Sequence, residues 1–372
     1  MTNNVMPAPS NIKDYYYKKW DNFYCCYQSP YKNLGQQWPA FGGIHQWINF
    51  DMIVVPYDHI KFKSEYSQFT LEDHLEYASQ SKMFVLIDKT VEHIHDENDF
   101  AQLYSNLKKY DLLDRCVVMD NTHNETMFKK HNVPHIYFPG YVFFYIWGQT
   151  IPKFIADPTY QFLCLNNYHK YHRLAVIYKL HEMNLLQRTS WSYRSTVHDT
   201  DEMHKILPTF DINKLPIKFP KFLDQNDTNF DQFANMESLY GNSMATIVTE
   251  TDFLFNDTSF ATEKSLNAIF QGTVPIFVSS PGTVNLLREQ SIDVYDDMID
   301  HSYDDEIDPA KRFEKITQTI EQVASWRIYK QIRSNLSVRT LRNQILLRDE
   351  QHWIDVADFY GNKFFNNNKI SI

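Results

Sequence analysis

ATIVTETDFLFNDTSFATEKSLNAIFQGTVPIFVSS, residues 245–280, carries the reading of the fold. Its apolar run at 245–248 is strand-length and leads into Glu250. A polar loop follows, and Thr262-Glu263-Lys264 opens a helical stretch over 262–271. A threonine at a helix start caps free N–H groups, and a first-turn Glu263 suits the positive helix end. Gly272 closes the helix, and the run at 274–278, with Pro275 inside it, reads as the next strand. Strand, helix and strand in this order make a parallel crossover unit.

The same alternation extends outward in both directions. FLCL at 162–165 is a strand, and 171–184 carries Leu174, Val176, Ile177, Leu180 and Met183 close to a helical stripe. In the first 150 residues, apolar runs at 23–27, 52–55, 83–87, 116–119 and 135–138 read as buried parallel strands. The stretches 70–81 and 100–110 between them are crossover helices. Residues 199–231 read as loops, punctuated by Pro208, Pro216 and Pro220. A short helix over 283–289 and a helical region over 309–350, with Pro309 in its first turn, complete the chain. The expectation is an α/β protein of two Rossmann-like, doubly wound domains facing a cleft, with a C-terminal helix closing back. The boundaries read as 1–155, 156–325 and a helical segment 326–372. In open α/β sheets ligands bind beyond the carboxyl ends of the strands.

Composition narrows the class. The chain has 372 residues, 43% hydrophobic and 22% charged, an ordinary globular mixture. With 36 Lys+Arg against 46 Asp+Glu the net charge is -10, so contact with nucleic acid would need a local basic patch. Cys25, Cys26, Cys116 and Cys164 form neither a disulfide framework nor a C-x-x-C pair. The opening MTNNVMPAPSNIKDYYYKKW lacks the apolar core of a signal peptide. The longest apolar run, 136–147, is short for a span and is broken by Pro139 and Gly140. A soluble cytoplasmic chain is expected, bacterial or in the host cytoplasm if viral, since the Asn-, Lys-, Ile- and Tyr-heavy usage suits an AT-rich genome. P-loop, dinucleotide-fingerprint and G-x-S-x-G patterns are absent. Asp199-Thr200-Asp201 beside His198 and His204, and the run Glu92 to Asp99 with His93 and His95, read as solvated surface, so no metal site is assigned.

Free N–H groups at the 262–271 helix start, beside Lys264, make a seat for a diphosphate, and a carboxylate there can grip a ribose diol. The stretch also resembles the donor-binding motif of the α-1,3-fucosyltransferase family: strand, loop, T-E-K, helix, glycine, V-P-I/V. Here these are Thr262-Glu263-Lys264, Gly272 and Val274-Pro275-Ile276. Exostosin-type transferases carry a looser version of that helix. Upstream, FLCLNNYHKYHRLAVIYKL resembles the family's strand–loop–R–helix, with Arg173 in the place of the pyrophosphate-binding arginine. MNLLQRTSWSY, with Ser190 and Tyr193, stands where the family turns into its next strand. A tyrosine commonly precedes the family's T-E-K, whereas Phe260 and Ala261 stand here, so sugar and base stay open.

The resemblance implies a GT-B glycosyltransferase that moves a hexosyl or pentosyl group from a UDP- or GDP-sugar to a hydroxyl, with inversion. Arg173 and Lys264 would hold the diphosphate, Glu263 the ribose or sugar, and Glu250 the sugar or the base, with Thr262, Ser190 and Tyr193 completing the donor side. The nucleotide sugar is a co-substrate, and neither a cofactor nor an essential metal is expected. Inversion needs one base for the acceptor proton. Asp58, Asp88 and Asp120, each at a strand's carboxyl end in the first half, fit that position, Asp58 foremost because His59 follows it. Arg327, Lys330 and Arg333 begin a basic strip, continued by Arg339, Arg342 and Arg348, that would contact acceptor phosphates. The acceptor is a glycan or a hydroxymethylated base in phage DNA. The competing reading is a non-catalytic nucleotide-sugar-binding protein with the same cleft.

Overall fold

A computed structural model describes residues 18–20, 23–25, 52–57, 69–81, 83–89, 97–122, 126–140, 142, 152, 157–197, 200–201, 203–223, 237–254, 259–327, 329–349, 351–353, 355–356 and 359–360. The chain divides into two compact units, 1–144 together with 350–372, and 145–349. Each is an α/β fold around a mainly or wholly parallel sheet.

Unit 1 runs β1 (Lys18–Trp20), β2 (Phe23–Cys25), β3 (Met52–Pro56), α1 (Leu71–Gln80), β4 (Phe84–Lys89), α2 (Glu97–Lys109), β5 (Cys116–Asp120), α3 (Thr126–Lys130) and β6 (His135–Tyr137). The strands lie in sequence order. β1 pairs antiparallel with β2, and every other pair is parallel. β4 and β5 are buried along their whole length, which is why they appear as continuous apolar runs instead of alternating ones. Ile53, Val55, Val85, Ile87, Cys116 and Val118 share one face and pack with Leu75 and Ala78 of α1, Phe100, Leu103 and Leu107 of α2, and Phe128 of α3. Among the described residues α1, α2 and α3 all pack on that face of the sheet. Local chemistry marks the ends of α1: Thr70 and Asp73 form a reciprocal capping box.

Unit 2 runs β7 (Tyr160–Asn166), α4 (Tyr171–Glu182), β8 (Thr189–Tyr193), α5 (Met203–Ile206), α6 (Glu237–Gly241), β9 (Ser243–Thr249), α7 (Glu263–Phe270), β10 (Val274–Val278), α8 (Thr283–Glu289), α9 (Pro309–Ala324) and α10 (Tyr329–Arg348). Its sheet is parallel with order β10-β9-β7-β8. From β7 the chain moves outward to β8, then returns to β9 and moves the other way to β10. The order therefore reverses between β7 and β9, the switch point beside which ligands sit in open sheets. α7 ends in a Schellman motif: Gly272, at φ 75°, donates to Ile269 O, and Thr273 N–H donates to Ala268 O. Asp308 caps α9 through Ala310 and Lys311 N–H, with Pro309 in the first turn. The expected helical region over 309–350 consists of two helices, α9 and α10. α10 belongs with unit 2 and the residues from 350 on with unit 1, where the expectation grouped both from 326 and set the domain boundary at 155/156.

Candidate functional site

The carboxyl ends of β7 and β9 are tied together, Thr249 Oγ1 donating to Asn166 Oδ1 at 2.7 Å. The next residue, Glu250, is fully buried. Its Oε1 accepts from Thr262 N–H at 3.0 Å and Ser265 Oγ at 2.5 Å, and its Oε2 from Thr262 Oγ1 at 2.6 Å and Thr251 N–H at 3.2 Å. Those four donors turn the carboxylate into a clamp on the start of α7. Thr262 Oγ1 also accepts from Lys264 N–H at 3.3 Å as the helix cap. The Lys264 ammonium lies 2.9 Å from Glu263 Oε1 and donates to Thr262 Oγ1 at 3.2 Å and Thr251 Oγ1 at 3.4 Å. Its side chain keeps 31% of its surface open to solvent, against 16% for Glu263. A helix start, a half-open lysine and a half-open carboxylate thus stand together at one strand end.

Arg173, in the first turn of α4, is 4% exposed. Its Nη1 donates to Tyr168 O at 3.2 Å and its Nη2 to Glu250 O at 3.3 Å. His172 Nε2 reaches the same Glu250 carbonyl at 2.8 Å, so that nitrogen carries the proton. Burial pushes the Arg173 pKa down, opposed by the charges of Glu250 and Glu263, and pushes His172 well below its ordinary value. The two neighbours lace the loop after β7 to the loop after β9 across the switch point. Tyr193, at the carboxyl end of β8, is buried, its hydroxyl 2.5 Å from His169 Nδ1, and burial raises its phenol. Lys170 Nζ lies 3.8 Å from the buried Asp252 carboxylate. Ser190 is the second residue of β8, paired with Leu163, about 10 Å from Tyr193 at ~3.3 Å per residue and toward the opposite end of the sheet. It is not brought together with Arg173, Glu250, Thr262, Glu263, Lys264 and Tyr193.

In unit 1, Asp58 and His59 lie outside the described residues. Asp88 and Asp120 are both buried. They fall on opposite faces of the sheet, because register pairs Asp120 with Lys89 and Asp88 with Met119. Asp120 Oδ1 accepts from Thr122 N–H, while Asp120 Oδ2 and Thr122 Oγ1 are buried with no hydrogen-bond partner among the described residues. Lys89, 1% exposed, lies 3.9 Å from Asp99 and 5.4 Å from the Tyr57 ring centroid.

The basic strip is divided by its helix. Arg327 is exposed, and the Lys330 side chain lies outside the described residues. Arg333 is 1% exposed and donates to Ser243 O at 3.2 Å, so it packs the helix down instead of offering a charge to phosphates. Arg339 is engaged by Asp293 and Asp297, and Arg342 and Arg348 face solvent. Among the described residues no group of three or more His, Cys, Asp or Glu is disposed to hold a metal ion, and no helix is long and apolar enough to cross a membrane. His93, His95, His198 and Asp199 lie outside the described residues. Sequence reasoning missed His172, Ser265 and Thr251, whose roles are hydrogen bonds across the fold with no motif to announce them.

No family model and no curated protein matches the chain. Among solved structures, a DNA-modifying enzyme, beta-glucosyltransferase, determined with and without uridine diphosphoglucose, is similar at 10% identity and TM-score 0.42, over 92% of this chain and 95% of that one. The T4 phage enzyme BGT in complex with UDP and Mn2+ is similar at 13% identity and TM-score 0.43, over 84% and 83% of the two chains. A point mutant of T4 phage BGT with UDP-glucose is similar at 11% identity and TM-score 0.41, over 86% and 83%.

Proposed function

We propose that the chain is a glycosyltransferase using a nucleoside-diphosphate sugar, with the donor on unit 2. The observation that carries this reading is the start of α7 at the end of β9, where Thr262, Glu263 and Lys264 stand on the Glu250 clamp. In this reading the Lys264 ammonium and the first-turn N–H groups meet the diphosphate, whose negative charge grows as it leaves. Glu263 accepts from the ribose or sugar hydroxyls. Arg173 and Glu250 shape the seat from beneath, since their polar atoms are largely engaged within the protein. The resemblance of T-E-K and the Arg173 helix to fucosyltransferase-type donor motifs points the same way. Inversion is the proposed stereochemical course, with no metal required.

The acceptor hydroxyl is proposed to give its proton to a carboxylate of unit 1. Asp120 is preferred to Asp88, because its Oδ2 is the buried oxygen left without a partner among the described residues. The acceptor class is a glycan or a hydroxymethylated base in DNA.

The test is thermal stabilisation by a panel of nucleoside diphosphates and their sugars. A ligand at about 100 times its dissociation constant adds about 2.7 kcal/mol, readily visible in a melting curve. One nucleotide is expected to shift the melt, and Lys264→Ala to weaken it by about 1.5–3 kcal/mol. Asp120→Asn should keep donor binding and lose transfer. No shift with any nucleotide would overturn the reading.

A further inference from the structure

Beside the diphosphate seat, the same edge of unit 2 carries aromatic rings turned to solvent. Tyr168, in the loop after β7, is 70% exposed, and Phe222 is 41% exposed. Several backbone hydrogen bonds gather these residues at one corner. Arg173 Nη1 holds the Tyr168 carbonyl, and Arg194 N–H donates to Asn166 O at 3.0 Å. Tyr193 and Lys221 exchange N–H to carbonyl bonds of 2.8 and 2.7 Å, which seats Phe222 beside the end of β8. The Arg194 guanidinium stands 5.5 Å from the Phe222 ring centroid, and Lys221 Nζ stands 4.6 Å from that of Trp191.

Exposed rings beside cations, on loops anchored at the carboxyl edge of a parallel sheet, suit a planar heteroaromatic ligand attached to phosphate. We infer that Tyr168 and Phe222, with Arg194, form the subsite for the nucleobase of a nucleoside diphosphate. This rests on the reading of the α7 start as the diphosphate seat and extends it by naming where the base lies. The spacing agrees. β7 is the neighbour of β9, which carries the seat, so Tyr168 stands about one strand spacing away, ~5 Å. Phe222, whose neighbour Lys221 pairs with the outer edge of β8, stands about three away, ~14 Å, at the far end of the subsite. A mononucleotide is favoured over a polynucleotide because the chain carries net charge -10, and Arg333 of the basic strip is buried.

The experiment is calorimetric titration of the full chain with UDP, GDP and inorganic pyrophosphate, comparing wild type with Tyr168→Ala, Tyr168→Phe and Phe222→Ala. Stacking on one ring predicts about a tenfold loss of nucleotide affinity in Tyr168→Ala and a smaller loss in Phe222→Ala. Tyr168→Phe should stay near wild type, and pyrophosphate affinity should not change in any variant. Both rings are solvent-exposed, so unchanged melting temperatures are the check on folding. Equal nucleotide affinity in Tyr168→Ala, or an equal loss for pyrophosphate, would overturn the subsite and leave the diphosphate seat standing. In a parallel titration with a single-stranded oligonucleotide, a loss confined to that ligand would assign the rings to a polynucleotide and overturn it too. Wild-type protein that binds none of the three ligands would remove the diphosphate seat itself, and the subsite with it.

Discussion

Glu250 takes four hydrogen bonds on its carboxylate and two more on its carbonyl, and no feature of its place in TETDF announces that. A strand-end acid reads as a ligand contact from the chain alone; burial and its partners make it a structural clamp. Buried histidines give the residue scale its pH dependence. His74 is fully buried and desolvation pushes its pKa down to about 4, and burial also lowers His172 and His301. Each binds its proton more readily unfolded than folded, so the stability it contributes is whole above about 6.5 and is lost as pH falls below that value. For His74 the fall from 6.5 to about 4 corresponds to about 3 kcal/mol once both states have titrated. Urea unfolding at pH 7.5 and pH 5 should show a clear drop in midpoint at the lower value, while His74→Gln narrows it. A flat profile between those values would contradict the burial of neutral imidazoles.

Helix α10 shows what element-scale patterning hides. Its packed face is largely polar: Arg333 donates to Ser243 O, Gln344 to Phe270 O, and Asn343 to Asp293 O. Val338, Leu341 and Ile345 face solvent. Leu336 and Leu347 are buried on the packed face, but polar groups outnumber them, so the stretch reads as a basic surface when its partners cannot be seen. The contact between α10 and α7 is testable at Gly272. A Cβ there would lie 2.4 Å from Thr340 Cγ2, and the backbone holds φ 75°. Gly272→Ala should cost about 2–4 kcal/mol, from left-handed strain plus overpacking. Thr340→Ser removes that methyl, and in the double variant the cost should fall to about 1–2 kcal/mol, the strain alone. Additive effects in that double-mutant cycle would mean the two residues do not meet.

At the scale of the molecule, each unit has its own sheet and its own buried core, and the proposed donor seat belongs to unit 2. Hydrogen exchange with saturating nucleoside diphosphate should slow amides at 249–252 and 262–266 and in the loop after β7. Strands β3, β4 and β5 of unit 1 should exchange as before. Protection confined to unit 1 would relocate the nucleotide.

Much of the fold was legible because parallel strands buried on both faces must be continuous apolar runs, and crossover helices must separate them. The runs at 52–55, 116–119 and 274–278 lie within β3, β5 and β10 for that reason, and Thr262, Pro309 and Gly272 mark helix ends because capping chemistry is local. Strand β1, three residues inside DYYYKKW, was not legible, since so short an edge strand carries no period of its own. Nor does the chain alone declare strand order: one-directional in unit 1, reversing between β7 and β9 in unit 2. Read alone, the chain yields most of the parallel strands, the longer helices and the chemical groups at 262–264. Only the tertiary structure decided that Arg173 laces two loops, that Arg333 is packing, that Ser190 lies toward the other end of its sheet, and that Tyr168 faces solvent. Each depends on what long-range folding sets beside a side chain, and burial and hydrogen-bond partners are properties of that neighbourhood.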